Sequence, residues 1–169
     1  VSLKIKELRV HALFSYRPVD ATIRMAGTTG EGTTEITSLG SSGYHRTKSE
    51  IEKRNAVWEL STGGNMNYTI NFGQRGGVRT GLSAIYSRFS LPVAPPREYY
   101  QTFGFSGTEN LVTGLDLNGR MGKFTFAGEI SRSLNGGLSW LISLSLVQYP
   151  AVSVKLVVRD YSPAFNNAL

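Results

Sequence analysis

The side chains of this chain that are best suited to chemistry follow a glycine-rich stretch. His45 lies between Tyr44 and Arg46, and Glu50 and Arg54 come shortly afterwards. An imidazole, two guanidinium groups and a carboxylate can bind a polar ligand together, or they can form the ion pairs of an anchored loop. Because exposed ion pairs are common and contribute little stability, we favour the anchored loop and keep the binding patch as the alternative.

A second group of charged residues is spread over the C-terminal half. Its members are Asp116, Lys123, Glu129, Lys155 and Arg159. Charges that are removed from water need partners, so carboxylates and cations on one side of neighbouring strands predict a charge network. An alternative is a hydrolase that uses Asp116 and Glu129 with His11, although no histidine has an evident place beside the two carboxylates.

Patterns of known catalytic and cofactor sites are not found in the sequence. Cysteine is absent, which excludes a thiolate metal site and a cysteine nucleophile. The segment Gly73–Gly77 lacks the lysine of a phosphate-binding loop, and no Gly-x-Ser-x-Gly elbow is found. We therefore expect no catalytic residues, no cofactor and no metal.

The elements that must position these residues show a period of two. In the segment 138–148 the apolar side is expected to carry Leu138, Trp140, Ile142, Leu144 and Leu146. The same alternation occurs in 111–118, 123–130 and 152–159, with turns expected at Asn118-Gly119, 133–137 and 149–151. This pattern predicts four antiparallel strands whose apolar face carries no charge.

The N-terminal half gives a weaker signal. Strands are expected over the segments 8–16, 21–26, 65–73 and 78–89, and a turn at 17–20 makes 21–26 the return strand of the first hairpin. Residues 27–64 are expected to form one long outer loop.

One segment of that loop allows two interpretations. Thr47 and Glu50 have the spacing of a capping box, so we predict a helix over 47–60. The alternative is a strand around Ala56–Leu60 that turns at Gly63-Gly64 and pairs with Met66–Phe72.

The lengths of the connections favour the helix. With a helix at 47–60, short and long connections alternate along the chain, as they do in bacterial outer-membrane barrels. The predicted fold is therefore all-β: an antiparallel up-and-down transmembrane β-barrel, or a segment of a larger one, with about eight strands over residues 1–169. Of these two alternatives, the proline in the loop-like stretch Tyr161–Leu169 favours a segment of a larger barrel.

A soluble β-barrel or sandwich would alternate as well, with Phe124, Phe126, Trp140 and Leu144 lining an interior that binds an apolar ligand. Strands of about ten residues are long for a soluble sheet and suit a tilted membrane span. The polar face, rich in Gly, Ser and Thr, suits a wet interior. We read the net charge of +6 as scattered solubilising charge.

Two stretches resemble a known family. Gly43–Thr47 followed by Ser49–Arg54, and later Val158–Phe165, are similar to parts of large outer-membrane β-barrel proteins of Bacteroidota that carry an N-terminal ComEA-like helix-hairpin-helix region. The resemblance runs from about Leu8 onward, within the barrel part. The helix-hairpin-helix region, which would bring a DNA-binding role, is not found in this sequence.

The resemblance implies an integral protein of the bacterial outer membrane and adds little about its function. The expectation that it is not an enzyme rests on the absence of a catalytic pattern from the sequence. We expect a pore, a transport component or a scaffold of a surface complex. The expected partners are outer-membrane lipid and lipopolysaccharide, together with other subunits of such a complex. We expect no direct nucleic-acid binding by this segment.

Overall fold

The computed structural model describes residues 1–26, 33–40, 43–95, 104–148 and 152–166. The described part of the chain is an all-β protein with one short α-helix. Its strands belong to a single sheet of ten strands, built mainly from antiparallel neighbours. The all-β, antiparallel, up-and-down part of the prediction is therefore confirmed.

The strand and helix bounds in chain order are β1 Ser2–Ile5, β2 Leu8–Val19, β3 Ala21–Ala26, β4 Thr33–Leu39, α1 Lys48–Glu52, β5 Val57–Asn71, β6 Gly76–Val93, β7 Gly107–Met121, β8 Phe124–Ser133, β9 Leu138–Gln148 and β10 Val152–Tyr161. A single 3-10 turn over Gly73–Arg75 joins β5 to β6.

The main path of the sheet runs β1-β2-β5-β6-β7-β8-β9-β10. Within the described residues β1 and β10 do not pair with each other, so the sheet is not closed into a barrel. The two edge strands differ in length: β1 has 4 residues and β10 has 10. A ladder between them would leave most of β10 uncovered.

The C-terminal meander follows the predicted alternation. The register of β7, β8 and β9 sets Leu115 opposite Ile130 and Ile130 opposite Trp140. The predicted turn at Asn118-Gly119 is wrong, because both residues pair within the β7–β8 ladder. The turn lies at Gly122 and Lys123, and Gly122 has a φ of 58° that glycine adopts without strain. The turn at 133–137 is confirmed, and the one at 149–151 lies outside the described residues.

The hairpin expected between residues 8–16 and 21–26 is not formed. Asp20 is the turning point: its carbonyl oxygen accepts the N–H of Gly40 at 2.7 Å, and the next residue, Ala21, donates to the carbonyl of Lys53 at 3.0 Å. β3 therefore pairs with β4, and β4 makes a short parallel contact with β6 where Ile36 lies opposite Val93.

The long loop predicted over 27–64 is corrected as well. Its residues 33–39 form β4, and its last residues belong to β5. The helix begins at the predicted capping box but ends at Glu52 rather than 60, and Asn55 then adopts a left-handed φ of 52°. The alternative hairpin at Gly63-Gly64 is also wrong, because β5 passes through both glycines as one strand.

The chain divides into two compact units. The core unit contains Phe14–Thr62 and Tyr86–Asn110, and the sheet unit contains Val1–Leu13, Gly63–Ile85 and Leu111–Asn166. In the core unit the buried apolar side chains form one cluster. This cluster consists of Ala21, Ile36, Val57 and Phe89, with Val19, Ala56, Leu91, Val93 and Phe105 packed against it.

The described part of the sheet unit has no such cluster of buried apolar side chains. The residues buried in its described part are glycines and serines: Gly81, Gly114, Ser131, Ser133, Gly137 and Ser139. The large apolar side chains of its strands are exposed on one face. They include Met66, Tyr68, Ile70, Leu115, Leu117, Phe124, Ile130, Ile142, Leu144, Val154, Leu156 and Val158.

Candidate functional site

Two carboxylates lie side by side on the polar face of the sheet unit. Asp116 on β7 is directly opposite Glu129 on β8 in the antiparallel register, as the alternation predicts. Asn118 donates its amide hydrogen to Oδ1 of Asp116 at 3.2 Å, and Ser131 donates its hydroxyl to Oε1 of Glu129 at 3.1 Å. Each carboxylate is therefore oriented by a neighbour two residues along its own strand.

Gly81 on β6 allows the side chain of Asp116 to cross the neighbouring strand. A Cβ at position 81 would lie 1.9 Å from Oδ2 of Asp116 and 2.7 Å from Oδ1 of Asn67. Gly114 has a similar place between the hydroxyls of Ser83 and Ser131, since a Cβ at position 114 would lie 3.0 Å from each. Small residues thus form the floor of the site, and longer polar side chains extend over it.

These residues surround an open cavity of about 380 Å³. Its lining is Asn65, Asn67, Arg79, Ser83, Leu115, Asp116, Leu117, Asn118, Ala127, Gly128, Glu129 and Leu141. Amide, hydroxyl, guanidinium and carboxylate groups give it both hydrogen-bond donors and acceptors. Such a surface suits water and small polar solutes, and it makes the face hydrophilic.

A second cavity of about 490 Å³ lies on the same unit. Its polar lining includes Asn71, Arg79, Arg120 and Thr125. Arg79 borders both cavities, and Val78 and Phe126 also line the second one, so that cavity is only partly hydrophilic.

The predicted charge network is only partly assembled. Asp116 and Glu129 are neighbours, but Lys123 lies in the β7–β8 turn. On β10, Lys155 is opposite Ser145 and Arg159 is opposite Leu141. No ion pair joins any two of these five described residues. In the register, Leu141 separates Glu129 from Arg159, so these two side chains are not direct cross-strand neighbours.

The hydrolase constellation is not brought together. His11 lies on β2, and β5 and β6 separate that strand from β7, which carries Asp116. Three strand spacings amount to about 14 Å across a sheet, too far for proton transfer between these side chains.

The predicted loop patch is an anchored loop in this structure. The Glu50 carboxylate accepts hydrogen bonds from the backbone N–H groups of Arg46 at 2.8 Å and Thr47 at 2.9 Å, which completes the capping box. These bonds, the one from Thr47 first, lower the pKa of Glu50. The guanidinium of Arg46 lies 4.7 Å from the ring centre of Tyr44. Just after the helix, Arg54 donates its backbone N–H to the carbonyl oxygen of Ile51.

Asp20 is a residue of this region that the sequence did not reveal. Its Oδ2 is 2.7 Å from Nε2 of His45, and its Oδ1 accepts the backbone N–H of Asn55 at 2.9 Å. The bond from Asn55, followed by the one with His45, lowers the pKa of the Asp20 carboxyl. Asp20 thus ties the start of β3 to the residues on both sides of α1.

An ion pair between a buried carboxylate and an exposed arginine of the core unit was also missed. Glu59 on β5 is 4% exposed, and its Oε2 accepts hydrogen bonds from Nε and Nη2 of Arg17 at 3.0 and 2.9 Å. Ser61 donates to Oε1 at 3.1 Å. The predicted helix over 47–60 did not indicate this ion pair, because a helix there would place Glu59 on the surface.

Within the described ranges, no group of three His, Asp or Glu residues has the arrangement of a metal site. Nor does any helix in those ranges have the length and apolar character needed to cross a lipid bilayer. Comparisons of the chain with protein-family models, with curated proteins and with solved structures found no match.

Proposed function

We propose that the sheet unit is a segment of an integral β-barrel of a bacterial outer membrane. Its apolar face contacts lipid, and its polar face, with Asp116 and Glu129, lines a hydrophilic interior. In this proposal the protein is not an enzyme, and it serves as a pore, a transport component or a scaffold of a surface complex.

The main evidence for this proposal is the distribution of buried residues. The side chains buried in the sheet unit are serines, whereas Ile142 and Leu144 are 57% and 46% exposed. Exposing rows of large apolar side chains to water is unfavourable in proportion to their area. Hydrocarbon removes this cost, so the arrangement suits a sheet with lipid on one side.

The strand lengths support the same conclusion. β8, β9 and β10 have 10, 11 and 10 residues, and a tilted membrane strand needs about 9 to 11. The register keeps the apolar rows continuous: Phe126 lies opposite Leu144, and Leu144 lies opposite Leu156. Adjacent strands therefore present one apolar band rather than isolated apolar residues.

The partners that fit this band are outer-membrane lipid and lipopolysaccharide. The resemblance to Bacteroidota outer-membrane barrels agrees with this assignment. Glu129 and Lys155 lie on the face opposite the band, so contact with acyl chains does not require their desolvation. Arg132 and Asp160 lie on the side of the band, opposite Leu138 and Trp140, at the ends of β8 and β10.

The test is membrane insertion of the full chain. Protein refolded in detergent is mixed with phosphatidylethanolamine and phosphatidylglycerol vesicles that contain lipopolysaccharide, and the vesicles are floated after a urea wash. We expect the chain to float with the vesicles. A matched pair of variants identifies the responsible face: Ile142→Asp with Leu144→Asp should abolish flotation, and Ser143→Asp with Ser145→Asp should preserve most of it. Recovery of the unmodified chain as a detergent-free soluble monomer would contradict the proposal.

A further inference from the structure

The strand β10 has a free edge. Its described ladder partner is β9, and all ten of its residues are exposed. The side chains of Val154 and Leu156 are 61% and 62% exposed, the highest values among the large apolar residues of the meander. β10 is thus the point where the sheet ends with a full-length strand.

One hydrogen bond identifies the backbone groups that point away from β9. The N–H of Ser162 donates to the carbonyl of Leu138 at 2.8 Å. In an antiparallel ladder the residues bonded to the neighbour alternate with residues that point outward. The free edge therefore presents the N–H and C=O groups of Ser153, Lys155, Val157, Arg159 and Tyr161. Such an edge is a template for another strand.

Two of these edge residues have positively charged side chains. Lys155 and Arg159 project on the polar face, four residues apart. Their cross-strand neighbours on β9 are Ser145 and Leu141. Neither cation forms an ion pair with a described residue. The nearest aromatic partner of Arg159 is Tyr161 on its own strand, 5.9 Å from the guanidinium to the ring centre.

The other edge of the sheet does not complement this charge. In β1, Lys4 lies opposite Arg9 of β2, and the apolar residues Leu3 and Ile5 alternate with it. Lys4 therefore projects on the polar face, as Lys155 and Arg159 do. Closing β1 onto β10, in one chain or between two copies, would bring like charges together, which destabilises a cross-strand pair.

We propose that β10 binds an acidic β-strand of another polypeptide segment. This strand runs antiparallel to β10 and carries two carboxylates four residues apart, opposite Lys155 and Arg159. Its alternate residues are apolar and extend the apolar band. The proposal rests on the open edge and its charge, and it does not require that the band contacts lipid.

The test uses synthetic ten-residue peptides and the full chain in detergent micelles. The first peptide has Glu at positions 3 and 7, Val at positions 4, 6, 8 and 10, and Ser or Thr elsewhere. One control peptide has Lys in place of both Glu residues. A second control keeps the Glu residues but is N-methylated at positions 3, 5 and 7, which removes ladder donors. Fluorescence anisotropy of a terminal label reports binding.

We expect the Glu peptide to bind about tenfold more tightly than the Lys peptide, because two attractive cross-strand pairs replace two repulsive ones. The N-methylated peptide should not bind. The chain with Lys155→Glu and Arg159→Glu should reverse the preference, and its far-UV circular dichroism verifies that it folds. Equal affinity for both peptides, or the same preference in the reversed chain, would overturn the proposal.

Self-closure is tested by disulfide formation, since the natural chain has no cysteine. Leu3→Cys is combined in turn with Val154→Cys, Leu156→Cys and Val158→Cys, which are all on the apolar face. We expect no cross-link under mild oxidation. A cross-link within one chain or between two copies would show that β1 covers β10, and the proposed acidic strand would then have no site. Peptide binding and vesicle flotation are measured separately, so either proposal can fail alone.

Discussion

The core unit buries a cluster of apolar side chains that the described part of the sheet unit lacks, whereas both units expose others, such as Phe14 and Met25 of the core unit at 74% and 77%. In the core unit, Ile36 and Val57 are 0% and 1% exposed and pack on Phe89. In the sheet unit, isoleucines and valines such as Ile142 and Val154 are among the most exposed residues. One chain therefore combines a small buried apolar core with strands whose large apolar side chains form an exposed band on one face.

This difference indicates two sources of stability. The core unit is stabilised by burial of its own apolar side chains and by the hydrogen bonds of Asp20 and Glu59. The sheet unit has mainly its backbone ladders and polar contacts, so its apolar face depends on what surrounds it. The two tryptophans report on the units separately, because Trp58 belongs to the core unit and Trp140 to the sheet unit. Single-tryptophan variants, Trp140→Phe or Trp58→Phe, therefore allow each unit to be followed.

The largest effect is expected from truncating the core. Ile36→Ala should lower the free energy of unfolding by about 2 to 5 kcal/mol, because the cavity it leaves adds to the lost transfer energy. The matched change in the sheet unit, Leu144→Ala, should cost less than about 1 kcal/mol in detergent, since that side chain contacts the surroundings. Guanidinium unfolding measures the two losses, followed by Trp58 fluorescence for the first variant and by Trp140 fluorescence for the second. Equal losses would remove the distinction between the units.

The next effect concerns the two faces of one strand. Ile142→Lys should disfavour folding into vesicles by about 2 to 4 kcal/mol, the cost of a lysine on the lipid face near the bilayer centre. Ser143→Lys, one residue further along β9, should cost much less because it projects on the polar face. Urea titration of the folded fraction in vesicles gives both values. A larger penalty for Ser143→Lys would reverse the assignment of the faces.

A smaller effect is expected at the ion pair between the exposed Arg17 and the buried Glu59 of the core unit. Arg17→Ala should destabilise the unit by about 1 to 2 kcal/mol, because the buried Glu59 carboxylate keeps only the hydroxyl of Ser61. Adding Glu59→Gln to Arg17→Ala should recover part of the loss, since no charge then remains buried. Unfolding midpoints of the three variants test this. A double variant less stable than Arg17→Ala would show that Glu59 has another role.

The smallest effect is a dependence on acid that arises from two carboxyl groups of the core unit. The pKa values of Asp20 and Glu50 are lowered by backbone hydrogen bonds, from Asn55 and Thr47 respectively. Their contribution is therefore complete above the ordinary carboxyl pKa values of about 4 and is lost as the pH falls below them. The unfolding midpoint should decrease over this range, and Asp20→Asn with Glu50→Gln should flatten the decrease. An unchanged slope in that variant would exclude both residues as the cause.

The parts of the fold that could be predicted from the sequence are those with local causes. The alternation in 138–148 and 152–159 and the opposition of Asp116 and Glu129 follow from a period of two, and the helix start follows from the capping box. The segment 33–39 was missed because its two apolar residues, Ile36 and Leu39, are three apart among polar residues and show no period of two. Asn118-Gly119 has the composition of a turn, but Gly119 lies beneath the ring of Phe126 and stays in the strand.

The contacts of the candidate sites needed the three-dimensional structure. His45 binds Asp20, which is 25 residues away in sequence, and Arg17 binds Glu59 across 42 residues. No spacing rule connects such pairs. The free edge of β10 and the shared sign of charge on both edges also become visible only when the strand order is known.

The most direct test of a lipid-facing apolar band uses two adjacent residues of β9 that project on opposite faces. In a chain with Trp58→Phe and Trp140→Phe, Leu141→Trp places the indole on the polar face and Ile142→Trp places it on the apolar face. Both variants are reconstituted in vesicles that contain acyl chains brominated at mid-depth. We expect strong quenching of tryptophan fluorescence at position 142 and weak quenching at position 141. Equal quenching, or stronger quenching at 141, would contradict the assignment of the apolar face to lipid.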